Sequence, residues 1–216
     1  MQTVNVREQM IEQQVRAWDV LDAHVLTVMR EVPRELFVPA EHGYLAYADV
    51  EVPLPCGQRM LRPSVAGRLL QALLPEATEP VLEIGTGTGF LTACLRAMAT
   101  RVRSLEVFAE LADAARRNLA ALGMRDVEVV DADAWSFESG ARYGAIAVTG
   151  SLPLYDARFE RMLSVGGRLF VVVGEAPVME ARLVRRTAEE AWATESLFET
   201  VIDPLANAAR PPRFTF

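Results

Sequence analysis

The sequence predicts an α/β fold, with a mostly parallel, doubly wound sheet, a helical N-terminal cap and an antiparallel addition at the C-terminal edge. From Val81 onward, short β-rich runs alternate with helical runs, and in a compact chain such alternation produces parallel strands with helices packed on both faces. A glycine-rich turn follows the first of those strands. Ahead of them, Val6 to Arg30 repeats apolar residues at helical spacing, as an amphipathic cap does.

The elements follow in order. Pro33, Phe37, Val38 and Pro39 break the helical pattern into an extended, turn-rich segment. Pro53, Pro55, Gly57 and Pro63 make Glu51 to Pro63 a long irregular loop, a feature often reserved for function in compact domains. Val65 to Leu74 resumes a helix that Pro75 and Pro80 terminate. Strands are expected at Val81 to Ile84, Val102 to Glu106, Val127 to Asp131, Ala145 to Thr149 and Arg168 to Val173. Helices are expected at Phe90 to Met98 and Phe108 to Leu122, with a weaker one at Asp156 to Leu163. Two further strand-like runs, Arg182 to Arg186 and Leu197 to Ile202, flank a turn or helix at Ala188 to Trp192. The 216 residues read as one domain, with a cap and loop over 1–75 and the core over 76–216.

With 51% hydrophobic and 24% charged residues, a chain of this length buries an ordinary core without a disulfide or metal. Its two cysteines, Cys56 and Cys94, are too few for a metal cluster. Both sit among apolar neighbours and read as reduced structural thiols, which makes a cytoplasmic setting the expectation. Residues Met1 to Gln14 are interrupted by Arg7, Glu8 and Glu12, unlike a signal peptide, and no run is long enough to span a membrane. A net charge of −7 opposes a broad grip on nucleic acid.

The chemistry starts at Val81-Leu82-Glu83-Ile84-Gly85-Thr86-Gly87-Thr88-Gly89-Phe90. Glycines between a buried strand and a helix let a ligand approach the backbone beside a helix N-terminus. A nicotinamide site wants a third glycine where Phe90 stands. The two downstream acids point elsewhere. Glu106 ends the second strand, where an acid accepts from both ribose hydroxyls, and Asp133 follows the third, where one accepts from an adenine amino group. Asp131 competes for the latter role. This is the spacing of an S-adenosylmethionine site.

Several motifs together are more specific. Gln13-Gln14-Val15-Arg16, Val32-Pro33-Arg34-Glu35-Leu36-Phe37-Val38-Pro39 and Leu45-Ala46-Tyr47-Ala48-Asp49 lie in the cap. Gly57-Gln58 and Pro63, Leu82 to Gly87, Val148-Thr149 and Gly166-Gly167-Arg168 follow. Over roughly residues 8–174 the chain resembles the protein-L-isoaspartate O-methyltransferases. The resemblance implies a Rossmann-like fold, S-adenosyl-L-methionine as cofactor with S-adenosyl-L-homocysteine as product, and methylation of isomerised aspartyl carboxylates in damaged proteins. The candidate cofactor contacts are Glu83, Gly85, Thr86, Gly87 and Gly89 in the turn, then Glu106, Val107, Asp133, Ala134 and Thr149 at strand ends.

One departure falls in the loop. The family reads Thr-Ile-Ser after Gly-Gln, with the serine beside the transferred methyl, whereas this chain reads Gly57-Gln58-Arg59-Met60-Leu61-Arg62-Pro63. Leu61 holds the serine position and neither donates nor accepts a hydrogen bond. When such a group acts in the transition state its loss costs on the order of 10²–10³ in rate. Arg59 and Arg62 bring guanidinium forks suited to a carboxylate, so the acceptor is expected to be a protein or peptide carboxylate or another small acid. A carboxylate is already ionised at neutral pH and needs no general base, which leaves His24 and His42 to structural or surface roles and Trp135 and Trp192 to packing. Two smaller departures are Gly144, where an acid is usual, and Ala132 and Ala134, where glycines flank the acid. Two functions fit: an active carboxyl methyltransferase, and a non-catalytic module that retains the cofactor pocket. Neither the oligomeric state nor the acceptor is legible.

Overall fold

The computed structural model describes residues 2–212. Helix α1 (Gln2–Met10) runs on through a wide turn at Ile11–Val15 and a tight one at Arg16–Trp18, then stops at Asp19, whose φ is 58°. Helix α2 (Ala23–Glu31) begins where the Asp22 carboxylate accepts from the His24 and Val25 N–H groups, satisfying donors that the first turn leaves free. The helical cap expected over Val6 to Arg30 is thus built from two helices. The break between them is closed from outside. On α3 (Pro63–Leu73), the Gln71 side-chain oxygen accepts from Leu21 and Asp22 N–H at 2.7 and 2.9 Å, and its nitrogen donates to the Asp19 carbonyl at 2.8 Å.

Between α2 and α3 the chain makes short turns and a small hairpin of β1 (Val52–Pro53) and β2 (Arg59–Met60). The core then alternates β3 (Pro80–Ile84), α4 (Phe90–Met98), β4 (Arg101–Glu106), α5 (Ala109–Ala121), β5 (Glu128–Asp131), β6 (Tyr143–Leu152), α6 (Arg158–Arg161) and β7 (Leu163–Glu175). The hairpin β8 (Val178–Ala188) and β9 (Ala191–Glu199) completes it. All belong to one seven-stranded sheet in the order β5-β4-β3-β6-β7-β8-β9, parallel through β7 and antiparallel beyond. Trp192, expected in a turn or helix, is already paired with Arg186, so only Glu189 and Glu190 make the turn. The last strand ends at Glu199, and Ile202 lies beyond it.

Sheet residues alternate between two cores, as the period of a strand requires. Val81, Val102, Ala145, Ala147, Phe170 and Val172 face the helical cap with α3, α4 and α5. Leu82, Ile84, Leu105, Ile146, Val148, Leu169 and Val171 face the other way. Among the described residues that second face carries only the short α6, backed by Trp135, Phe137, Trp192 and Leu205. Both faces are covered as expected, though by unequal layers.

Arg168 in β7 ties the layers together. It donates to the carbonyls of Leu73, Leu74 and Gly144 and forms a two-pronged pair with Glu79, both contacts at 2.9 Å. A Cβ on Gly144 would stand 2.9 Å from the Glu79 carboxyl, so a side chain there would shift one arm of that pair. Trp135 and Trp192 pack as expected, against Phe159 and beneath Arg186. Cys94 is buried, but Cys56 is exposed at the hairpin tip. Its apolar neighbours in the sequence do not surround it in space, which corrects its reading as a structural thiol. No helix among the described residues is long and apolar enough to cross a membrane.

Candidate active site

The glycine turn connects β3 to α4 at the carboxyl end of the parallel strands, where open α/β sheets hold their ligands. Gly85, Gly87 and Gly89 have φ of 91°, 56° and 94°, a region L side chains rarely adopt. At Gly85 a Cβ would also meet Thr149 Oγ1 at 2.2 Å. Thr149 donates to the Ile84 and Gly85 carbonyls at 2.9 and 2.8 Å, bracing the turn against the end of β6.

Beneath the turn lies a closed polar network. Glu83 is fully buried and accepts from Thr92 and Ser104, and the Thr86 hydroxyl bonds Ser104. Burial pushes the Glu83 carboxyl up to about 8, against the lowering effect of those two hydroxyls, because a charge in low dielectric is costly. Burial therefore favours the protonated form of Glu83. Its Oε1 has no partner among the described residues, nor does the hydroxyl of Thr88 in the wall of the turn.

Glu106 closes β4 with its carboxylate pinned by main-chain donors: Gly87 N–H at 2.8 Å, Val107 at 3.0 Å and Phe108 at 3.1 Å. Burial raises its pKa, and those N–H groups oppose the rise. Asp131 turns outward to Arg116 at 2.7 Å, so only Asp133 of the two candidates lines the cavity. Asp133 accepts from Trp135 N–H and, on its other oxygen, from the Asn207 side chain, both at 2.9 Å.

Asn207 belongs to a strap that sequence reading did not anticipate. After β9 the chain folds back across the ends of the strands. Ser151 N–H donates to Asp203 O, Leu205 N–H donates to Ser151 O, and Trp135 Nε1 donates to Ala206 O at 2.7 Å. Ile202, Asp203, Pro204, Leu205 and Ala206 thereby form one wall of the cavity. The only local signals are Pro204 and Asn207, which suit any turn.

The loop of residues 51–63 is more regular than its prolines suggest. Val52 pairs with Met60 and Pro53 with Arg59, with Cys56 and Gly57 both left-handed at the tip. Met60 packs into the cap core and also lines the smaller of two adjoining cavities, while Arg59 and Leu61 line both. Leu61 also presents its carbonyl to Arg34 Nη2 at 2.8 Å. Arg34 is wholly buried over the Phe90 ring with no ion pair among the described residues, and burial lowers its pKa to about 10 against the raising effect of Asp49.

The main cavity, open in part to solvent, lies between Ile84, Leu105, Phe108, Glu106, Asp133, the strap and the hairpin. A second runs from Leu54, Arg59, Met60 and Leu61 past Gly85, Thr86, Gly87 and Thr88 to Phe90 and Leu91. The two meet at Leu54, Arg59, Leu61, Gly85, Gly87 and Thr149. Of the candidate residues, Glu83, Gly85, Thr86, Gly87, Glu106, Val107, Asp133, Ala134, Thr149, Arg59 and Leu61 line one cavity or both. Gly89 lines neither; it starts α4 and packs on Ala115. Arg62 lines neither; it donates to Thr200 Oγ1 at 2.9 Å and lies over Trp18.

The fit to an adenosyl cofactor rests on the chain's own groups. Apolar walls flank an anchored carboxylate and a second carboxylate across the pocket, the glycine cradle leaves backbone exposed, and the Thr88 hydroxyl is buried without a partner. The acids Glu51, Glu106, Asp133 and Asp203 favour a ligand bearing positive charge. Fold and site together define the class of S-adenosyl-L-methionine-dependent methyltransferases. The sequence model of the family described as protein-L-isoaspartate(D-aspartate) O-methyltransferase (PCMT) matches residues 5–209, and the chain belongs to that family. It is 37% identical over 204 residues to protein-L-isoaspartate O-methyltransferase 2 of Pelobacter propionicus, covering 94% of this chain and 91% of that one. It is 39% identical over 202 residues to the protein-L-isoaspartate O-methyltransferase of Rhodopseudomonas palustris, covering 92% of each. A Plasmodium falciparum protein described as a protein-L-isoaspartate O-methyltransferase, in complex with S-adenosyl-L-homocysteine, shares the fold. Its TM-score is 0.81 at 17% identity, over 92% of this chain and 97% of that one.

Proposed function

We propose that this protein transfers the methyl group of S-adenosyl-L-methionine to a carboxylate oxygen of a protein or peptide, of the isoaspartyl kind for which its relatives are named. The supporting observation is the junction of the two cavities, where Leu61 and Arg59 of the hairpin stand against Gly85 and Gly87 of the glycine turn. The reading as a non-catalytic module has no such observation in its favour.

In this reading the Glu106 carboxylate, already oriented by three main-chain donors, accepts from the ribose hydroxyls. Asp133 accepts from the adenine amino group with the lone pairs left by Trp135 and Asn207. Gly85 and Gly87 bring main-chain groups close to the methionyl portion. When bound, the cofactor supplies a methyl on a sulfonium: an acceptor oxygen lone pair forms the new C–O bond, and the C–S electron pair stays on sulfur. No proton moves, so no base is needed. The chain's contribution is alignment and exclusion of water, and alignment alone is worth up to roughly 7–11 kcal/mol in favourable intramolecular cases. Leu61 supplies an apolar wall where a hydroxyl would order the acceptor.

The test is incubation with methyl-labelled cofactor and, separately, an isoaspartyl peptide, its aspartyl counterpart and a cell extract. Label in a base-labile ester on the isoaspartyl peptide is expected, at a rate below that of the relatives that carry the serine. Restoring the hydroxyl with Leu61→Ser should raise that rate. Absence of label from every acceptor would overturn the reading.

A further inference from the structure

The charges around the main cavity are lopsided. Among the described residues lining it, Glu51, Glu106, Asp133 and Asp203 are acids, and Arg59 is the only cation. A cationic cofactor suits the acids. An anionic acceptor does not, because Glu51 and Asp203 share the lining with Arg59. Glu51 is half-buried, and its pKa is raised by burial and by the charge of Asp203, against the lowering effect of Arg59 and Arg62.

Arg62 cannot serve as the receptor without leaving Thr200 and the Trp18 ring. Arg59 is placed differently. Its Nε stands 3.1 Å from Asp203 Oδ2, and the two side chains are 50% and 55% exposed. A pair so exposed is weak and exchanges readily. Arg59 also lines both cavities, as Leu61 does, so the two residues meet at their junction. Asp203 therefore occupies, within the chain, the position on Arg59 that an incoming carboxylate would take.

We propose that Arg59 is the receptor for the acceptor's carboxylate, and that Asp203 of the strap is its resting occupant, exchanged for substrate on binding. The proposal rests on the carboxyl methyltransferase reading above and specifies how such a substrate is selected. It has a kinetic signature. Methyl transfer consumes the carboxylate's charge, so a guanidinium holds the substrate more tightly than the transition state. Arg59 then acts on KM, and removing it does not slow the committed complex in proportion.

The experiment measures methylation of an isoaspartyl peptide by the parent, Arg59→Ala, Arg59→Lys and Asp203→Asn at saturating cofactor. In parallel, the same peptide is titrated calorimetrically into each protein saturated with S-adenosyl-L-homocysteine. Arg59→Ala should raise the peptide KM and Kd roughly tenfold or more, with a smaller change in kcat. Arg59→Lys should fall between, since it keeps the charge and loses the fork. Asp203→Asn should lower both constants severalfold by removing the competitor. A parent that binds the peptide through Arg59 but does not methylate it would refute the enzymatic reading and uphold this one. Arg59→Ala with parental Kd, Asp203→Asn with weaker binding, or no peptide binding by the parent would each overturn it.

Discussion

Single side chains set the chemistry through their surroundings more than through their type. Glu83 and Glu106 are both carboxyls near the glycine turn, yet one has two hydroxyl donors in a sealed interior and the other three main-chain donors at a cavity wall. For Glu83 the consequence is measurable as stability against pH. Its folded carboxyl keeps its proton from the usual value near 4.5 up to about 8, whereas the unfolded chain releases it near 4.5. Between those values the unfolded state binds fewer protons, so stability falls as pH rises, by about 1.4 kcal/mol per unit. Below the window the contribution is complete, and above it the loss is constant. Glu83→Gln carries no titrating proton and keeps an oxygen for Thr92 and Ser104, so the difference in unfolding free energy between variant and parent should move in the variant's favour across that window. Denaturant melts at several pH values decide this, and parallel pH profiles would show that Glu83 is ionised in the folded protein.

At the level of elements, the strap is the part that completes the site. It has no regular structure of its own and is held by Ser151, Trp135 and Asp133. Gly150 makes room for it, because a Cβ there would come within 2.7 Å of the Leu205 backbone. Gly150→Ala should therefore push the strap from the strand ends while leaving the sheet intact. The expected result is S-adenosyl-L-homocysteine binding weakened by roughly tenfold or more, with little change in Tm, since overpacking at a surface strap relaxes outward. Parental affinity in this variant would mean that the strap contributes nothing to the pocket. The hairpin illustrates the same level from the other side. The period of two in an extended strand leaves Arg59 exposed and turns Met60 into the core, so shifting its register by one residue would exchange those two.

Across the whole molecule, the cap, α3 and the sheet depend on a few buried polar ties. Arg168 is the most connected, reaching α3, the turn before β3, and β6. Removing one partner of a largely buried pair leaves the other charge and several carbonyls uncompensated. With Glu79 partly open to solvent, Arg168→Met should cost about 2 kcal/mol, somewhat less than a fully buried pair, or roughly 4–8 °C in Tm for a domain of this size. Calorimetry checks it, and an unchanged Tm would mean that water replaces the arginine without penalty. Arg34 differs, since among the described residues it bonds carbonyls and an aromatic face and forms no ion pair.

The sequence by itself determined the alternation of strands and helices, the glycine turn, the acid at the end of β4 and the departure at Leu61. Each of these is encoded locally, in a period, a backbone conformation or a motif read along a few neighbours. Tertiary structure alone decided the rest. Asp133 was separated from Asp131 by Arg116, which takes the one outward while Asn207 and Trp135 hold the other. Arg59 and Arg62, three positions apart and alike in sequence, were divided by strand alternation and by Trp18 and Thr200. The strap became a wall only because the chain returns across the strand ends, a contact between segments more than fifty residues apart (Ser151 with Asp203, for example). No local pattern records such a contact, because its stability comes from surfaces that exist only once the sheet has formed.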